Sequence, residues 1–231
     1  AVEEAWIADS RGVGRVFAAV SEGRMRIYYR RAREAPWMKL DEFSLFSDDQ
    51  WTPLAVAEDD RTLYVASRKG RDKSAIVLYD PETRTFGEVL AAHPQVDLSE
   101  LVRLDGKVIG VNYEADKGGT AWFDEELARI QGGIDRALPG TVNRLAGSRD
   151  RSRFIVTVRS DVKPPSFYLF DRRAGKLEWL ADAAPWIDPK AMSPVRPVRY
   201  RARDGLEIPG YLTVPRSSSG KNLPMVVMVH G

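Results

Sequence analysis

The stretch RTLYVASRKGRDKSAIVLYDPETRTFGEVLA, residues 61–91, decides the fold. It holds three short runs rich in β-branched and aromatic residues: RTLYVAS (61–67), AIVLYDP (75–81) and TFGEVLA (85–91). Polar turn residues separate them, so they read as strands joined by hairpins. Thr62-Leu63-Tyr64-Val65-Ala66 shows little polar alternation, as a strand covered on both faces should. One more apolar stretch, TPLAVAE (52–58), precedes them. The unit is therefore four short strands.

The same unit recurs on both sides. Its second strand reappears as GRVFAAV (14–20), GKVIGVN (106–112) and SRFIVTV (152–158), a period of about 45 residues. The third strand recurs as RMRIYYR (24–30), TAWFDEE (120–126) and SFYLFDR (166–172). Three of these four end in aromatic-Asp, at Tyr79-Asp80, Phe123-Asp124 and Phe170-Asp171, and the first has Tyr29-Arg30 instead. A short carboxylate at a hairpin accepts from nearby backbone amides, so turn chemistry is the reading of these aspartates. The fourth strand recurs as WMKLDEF (37–43), LARIQGG (127–133) and LEWLADA (177–183), and the leading stretch as AWIAD, LSELVRL and TVNRLAG. Four units of four strands have the length and strand count of β-propeller blades. A β-sandwich accounts poorly for sixteen strands of which every fourth looks alike.

Bulk composition narrows the function. Of 231 residues, 43% are hydrophobic and 29% charged, which suits a folded globular chain. The 35 basic and 33 acidic residues leave a formal net charge of +2, with no basic block to draw nucleic acid or anionic lipid. The densest cluster, Arg30-Arg31-Ala32-Arg33, reads as a solvated turn. With no cysteine, disulfides, a thiol nucleophile and a Cys-based zinc site are excluded. That absence leaves both cytoplasm and periplasm open. No run reaches the ~18 apolar residues of a membrane span, and no signal peptide is visible at the N-terminus. No phosphate loop and no metal-spaced cluster occurs, so neither cofactor nor metal is expected. Six tryptophans, at 6, 37, 51, 122, 179 and 186, mostly fall on strands and are expected in the sheet core, Trp186 excepted.

Composition shifts after Ala183. Residues 184–197 carry four prolines, at 185, 189, 194 and 197, and read as an extended linker. Beyond it, VRYRARDG (198–205) alternates and ends in a turn, and LEIPGYLTVP (206–215) is a second strand, with Pro209-Gly210 suggesting a bulge or bend. The polar loop RSSSGKN leads to PMVVMVH (224–230), a continuous apolar run of the buried parallel type. This order of elements is how an α/β-hydrolase domain opens. The loop after such a strand supplies a backbone N–H to the oxyanion hole, which places His230 and Gly231 in the oxyanion-loop region. The expected fold is thus mainly β. Blades fill 1–183, the linker 184–197, and the opening hydrolase strands 198–231.

Arg203-Asp204-Gly205, Ile208-Pro209-Gly210-Tyr211-Leu212, Pro215, Pro224-Met225-Val226-Val227 and His230-Gly231 resemble the prolyl oligopeptidase family of serine peptidases, nearest its acylaminoacyl-peptidase and dipeptidyl-peptidase-like branches. The specific motifs cover about 198–231, and the blade-like units match the family's domain order. The resemblance implies a parent enzyme that cuts short peptides, with a propeller capping an α/β-hydrolase site and a Ser-His-Asp triad. It implies that Ser, Asp and His follow the His-Gly motif. No G-x-S-x-G occurs in the chain. Ser217, Ser218 and Ser219 lie in a loop, His93 reads as a surface residue, and His230 precedes the place of the nucleophile. The chain is therefore expected to be a fragment without hydrolytic activity. The paired-Glu motif by which dipeptidyl peptidases hold a substrate amine is not matched, Glu125-Glu126 falling in an expected turn. Two alternatives stay open: a non-catalytic propeller acting as a binding or scaffold module, and an esterase of the same fold. Oligomeric state is not fixed by the sequence.

Overall fold

A computed structural model describes residues 3–229. The first sheet comprises β1 (Glu3–Ala8), β2 (Gly14–Ser21), β3 (Arg24–Tyr29) and β4 (Met38–Ser44), in sequence order. The second comprises β5 (Trp51–Val56), β6 (Leu63–Ser67), β7 (Ala75–Asp80) and β8 (Thr85–Ala91). The third has only three strands, β9 (Glu100–Leu104), β10 (Lys107–Glu114) and β11 (Gly118–Trp122), followed by helix α1 (Glu125–Ala137). The fourth comprises β12 (Val142–Gly147), β13 (Arg153–Arg159), β14 (Ser166–Asp171) and β15 (Lys176–Asp182). All pairings within them are antiparallel.

The core lies between consecutive sheets. Every residue of β6 is buried. Leu63 and Val65 join Val16, Ile27, Tyr29 and Trp51 between the first and second sheets. Tyr64, one position out of phase, joins Ile76, Leu98, Val108 and Val111 between the second and third. Successive side chains of a strand point to opposite faces, so one uninterrupted apolar run supplies two cores. A third cluster, with Ile109, Leu127, Ile134, Phe154 and Val156, joins the third sheet, α1 and the fourth sheet. Antiparallel sheets stacked in chain order, three of the four with four strands, are the blade arrangement read from the repeat.

The third unit departs from that repeat. Residues 127–133, expected as a strand, are helical, and the preceding strand stops at Trp122 rather than running to 126. Asp124 is the helix N-cap, accepting from the amides of Glu126 (2.9 Å) and Leu127 (3.1 Å). Leu127, Gln131 and Ile134, four and three residues apart, form the buried stripe. A helix pairs its own backbone, so it closes this unit without a fourth strand.

The two true aromatic-Asp hairpins behave as read. Asp80 accepts from the amides of Glu82 (2.9 Å) and Thr83 (3.3 Å), and Asp171 from that of Ala174 (2.9 Å). The tryptophans are a correction. Trp51 is 2% exposed and Trp122 packs beside the third cluster, but Trp6, Trp37 and Trp179 are exposed; Trp186, excepted from the expectation, is exposed as well. A strand residue is buried only where a neighbouring sheet covers its face.

Candidate functional site

After β15 the chain makes successive turns, closed by Ile187 N to Ala184 O (3.1 Å) and Ala191 N to Asp188 O (3.0 Å), rather than an extended connector. It then enters a hairpin, β16 (Val195–Arg201) and β17 (Glu207–Thr213). The register runs without interruption through Arg199↔Pro209 and Val198↔Gly210, so Pro209-Gly210 makes no bulge. Of the run 224–230, expected as a buried parallel strand, the described residues 224–229 are exposed and unpaired; Met228 and Val229 are 89% and 93% exposed. A strand exists only against a partner, and no described strand lies beside this segment. His230 and Gly231, the oxyanion-loop residues read from the sequence, lie outside the described residues.

The other sequence-flagged groups do not converge. Ser218 Oγ donates to the carbonyl of Pro215 (2.8 Å), as a turn serine does. His93 is half-buried rather than a free surface residue. Its ring stacks on Tyr113 at 5.0 Å, and its Nδ1 accepts from the Gln95 amide at 3.2 Å. Among the described residues no serine hydroxyl is bonded to a histidine, and no three His, Cys, Asp or Glu side chains are grouped to hold a metal. Glu125 and Glu126 sit in the first turn of α1, and Glu126 is ion-paired with Arg172.

What the structure does assemble was not singled out in the sequence. The β10–β11 loop, residues 115–117, meets the β16–β17 hairpin. One terminal nitrogen of Arg199 donates to both Asp116 oxygens, at 2.7 and 2.8 Å, and Tyr211 Oη donates to the Ala115 carbonyl at 2.9 Å. From the sheet side, Arg144 on β12 reaches the ends of β10 and β11 that flank this loop. Its guanidinium donates to Asn112 Oδ1 (3.0 Å), Thr120 Oγ1 (3.0 Å), the Tyr113 carbonyl (3.2 Å), Glu114 Oε1 (2.6 Å) and the Gly119 carbonyl. Glycine at 119 matters here, because a Cβ would overlap the Tyr113 ring. These partners are 24 to 96 residues apart in the chain, and no local pattern announces them.

A second feature is an open cleft of about 480 Å³ between α1 and the β14–β15 hairpin. Ile130, Ile134, Phe170 and Leu177 form its walls, with Arg129 and Arg172 at the polar margin. Asp124, at the helix start, has its pKa lowered by the Leu127 amide and by Arg151, burial opposing both.

No protein-family model matches the chain. In sequence it is similar to dipeptidyl aminopeptidase BIII of Pseudoxanthomonas mexicana, 27% identical over 210 residues that cover 87% of this chain and 30% of that protein. In fold it is similar to a prolyl endopeptidase studied for inter-domain dynamics, with a TM-score of 0.63 and 17% identity over 94% of this chain and 31% of that one. It is likewise similar to oligopeptidase B of Trypanosoma brucei, at TM-score 0.55 and 14% identity, over 95% of this chain and 32% of that one. Prolyl oligopeptidase B of Galerina marginata follows at 0.54 and 10%, over 94% and 32%. The chain spans about 30% of the length of these proteins. In sequence the chain thus resembles a dipeptidyl aminopeptidase, and in fold it resembles peptidases of the prolyl oligopeptidase family.

Proposed function

We propose that this chain is part of a serine peptidase that hydrolyses short peptides. On this reading residues 1–183 are the propeller part that gates the substrate's approach, 184–197 the connector, and 198–231 the opening of an α/β-hydrolase domain. The observation that carries the reading is the 210-residue match to a dipeptidyl aminopeptidase, which covers 87% of the chain. His230 and Gly231 are assigned to the oxyanion-loop region of that domain, where a backbone N–H aimed at a developing oxyanion stabilises the tetrahedral intermediate.

The chain by itself is proposed to be inactive. It has no G-x-S-x-G, and the loop serine Ser218 is bonded to the Pro215 carbonyl rather than to a base. A fluorophosphonate probe, read by mass spectrometry, tests both halves of this proposal. The protein that contains this stretch should be labelled at a serine outside it, and the 231-residue chain should not be labelled. Labelling of any serine within the chain would overturn the inactivity. A containing protein that resists the probe would favour a binding module, and one that turns over aryl esters but no peptidyl anilide would favour an esterase.

A further inference from the structure

The hairpin β16–β17 covers neither of its faces with another described element: Tyr200, Leu206 and Tyr211 are 60%, 62% and 64% exposed. Its contacts with the sheets are polar and few. Val195 N donates to Asp161 Oδ2 at 2.8 Å, and the remainder fall on the β10–β11 loop through Arg199 and Tyr211. That loop has no apolar anchor of its own at 114–117, where Glu114, Asp116 and Lys117 are exposed. It is held from beneath by Arg144, whose side chain is only 20% exposed and which binds the loop at the Tyr113 carbonyl, Glu114 and the Gly119 carbonyl. Arg144 makes no hydrogen bond to the hairpin itself.

We propose that residues 114–117 form a two-sided clamp, in which Arg144 is the positioning residue that fixes the loop so that Asp116 and the Ala115 carbonyl can hold the hairpin. The physical reason is preorganisation. A planar guanidinium that binds carbonyls and carboxylate at once fixes a turn in one geometry. Arg199 then meets an Asp116 already in place instead of ordering a loose loop at entropic cost. A two-stranded hairpin is marginal in water, so the clamp, and not the hairpin's own pairing, sets how long the hairpin stays formed. The device requires no catalytic role for the chain.

Hydrogen exchange of the full chain, read by mass spectrometry, tests it. Asp116→Asn and Arg199→Met should each speed exchange of the 195–213 amides about fivefold, the effect of losing one partly exposed ion pair. Arg144→Met should speed exchange in the 114–120 loop and also in 195–213, although it touches nothing in the hairpin. In 195–213 the double variant Arg144→Met/Asp116→Asn should fall short of the product of the two single effects, because the Arg199–Asp116 pair is weakened in both and only the Tyr211–Ala115 bond is left for Arg144 to support. Arg24→Met, which removes an exposed ion pair with Glu42 in the first sheet, should leave both segments unchanged. If Arg144→Met loosens the whole fourth sheet, Glu114→Gln decides in its place; Glu114 is 75% exposed, and its loss weakens the Arg144 grip without opening the core. Hairpin exchange that stays at the wild-type rate in Arg144→Met, or in Glu114→Gln when that variant decides, overturns the proposal, as does an additive double variant.

Discussion

Asp9 shows how much one residue can hold. It follows β1 with a side chain of zero exposure, and accepts from the amides of Arg11 (3.0 Å) and Val13 (2.9 Å) and from Arg15 (3.0 Å). Arg15, 5% exposed, also donates to the Arg30 carbonyl and to Tyr29 Oη. Burial pushes the Asp9 pKa up, but the two amides and the guanidinium together outweigh it and hold the carboxyl below its ordinary value. Asp9→Ala should cost about 3–5 kcal/mol in denaturant unfolding, because Arg15 would keep a buried charge without its counterion. The folded-state pKa is the lower one, so the stabilisation from ionised Asp9 is complete above about pH 4 and is lost as pH falls through the folded value. The Asp9→Ala chain should therefore show a shallower loss of stability than wild type on acidification below about pH 4. Glu42, drawn down to about 2 by Lys39 and Arg24, titrates in the same window from the surface. At this scale the sequence spoke clearly about Asp80 and Asp171, whose roles are met by amides two or three residues on. It misjudged Asp124, which sits in the same aromatic-Asp dipeptide, because the difference lies downstream. Pro81 follows Asp80 and forces a turn, whereas Glu125-Glu126-Leu127 follows Asp124 and propagates a helix.

That helix is the element where repeat logic and local chemistry conflict. Period alone put a strand at 127–133, yet acidic residues in the first turn, Arg136 in the last and the Asp124 cap all favour a helix. Two internal glycines, Gly132 and Gly133, work against it. A Cβ at Gly132 would meet only the flexible end of Arg136, at 3.6 Å. Gly132→Ala should thus stabilise the protein by about 0.5–1 kcal/mol, read as a raised thermal midpoint. Asp124→Ala should cost about 1 kcal/mol or slightly more, since it removes the cap and the 2.6 Å ion pair with Arg151 together. Thermal unfolding followed by circular dichroism would separate the two, with opposite signs expected.

Across the whole molecule, stability is shared between neighbours, because every core cluster lies between sheets rather than inside one. This predicts a directional response. Leu63→Ala opens the cluster shared by the first and second sheets, and Ile76→Ala the one shared by the second and third. Both side chains are fully buried, so each change should cost about 2–5 kcal/mol. Native-state hydrogen exchange should then rise in β1–β4 for Leu63→Ala and in β9–β11 for Ile76→Ala, with the far sheet less affected. Equal loosening of all four sheets by both variants would contradict this reading.

The sequence by itself determined the sheets, the last element of the third unit excepted: short apolar runs, punctuated by turn residues at a steady period, leave the backbone few other ways to pair. It also determined both faces of β6, since a strand without polar positions has to be covered twice. Only the tertiary structure decided which tryptophans are buried, because a strand pattern gives a side chain's face but not whether another sheet lies against it. It alone brought Arg144, the 114–117 loop and the hairpin together, because an ion pair between residues 83 positions apart leaves no local trace. The same holds for Met225–Val229, apolar enough for a buried strand but exposed here: hydrophobicity states a demand for neighbours, and packing alone supplies them.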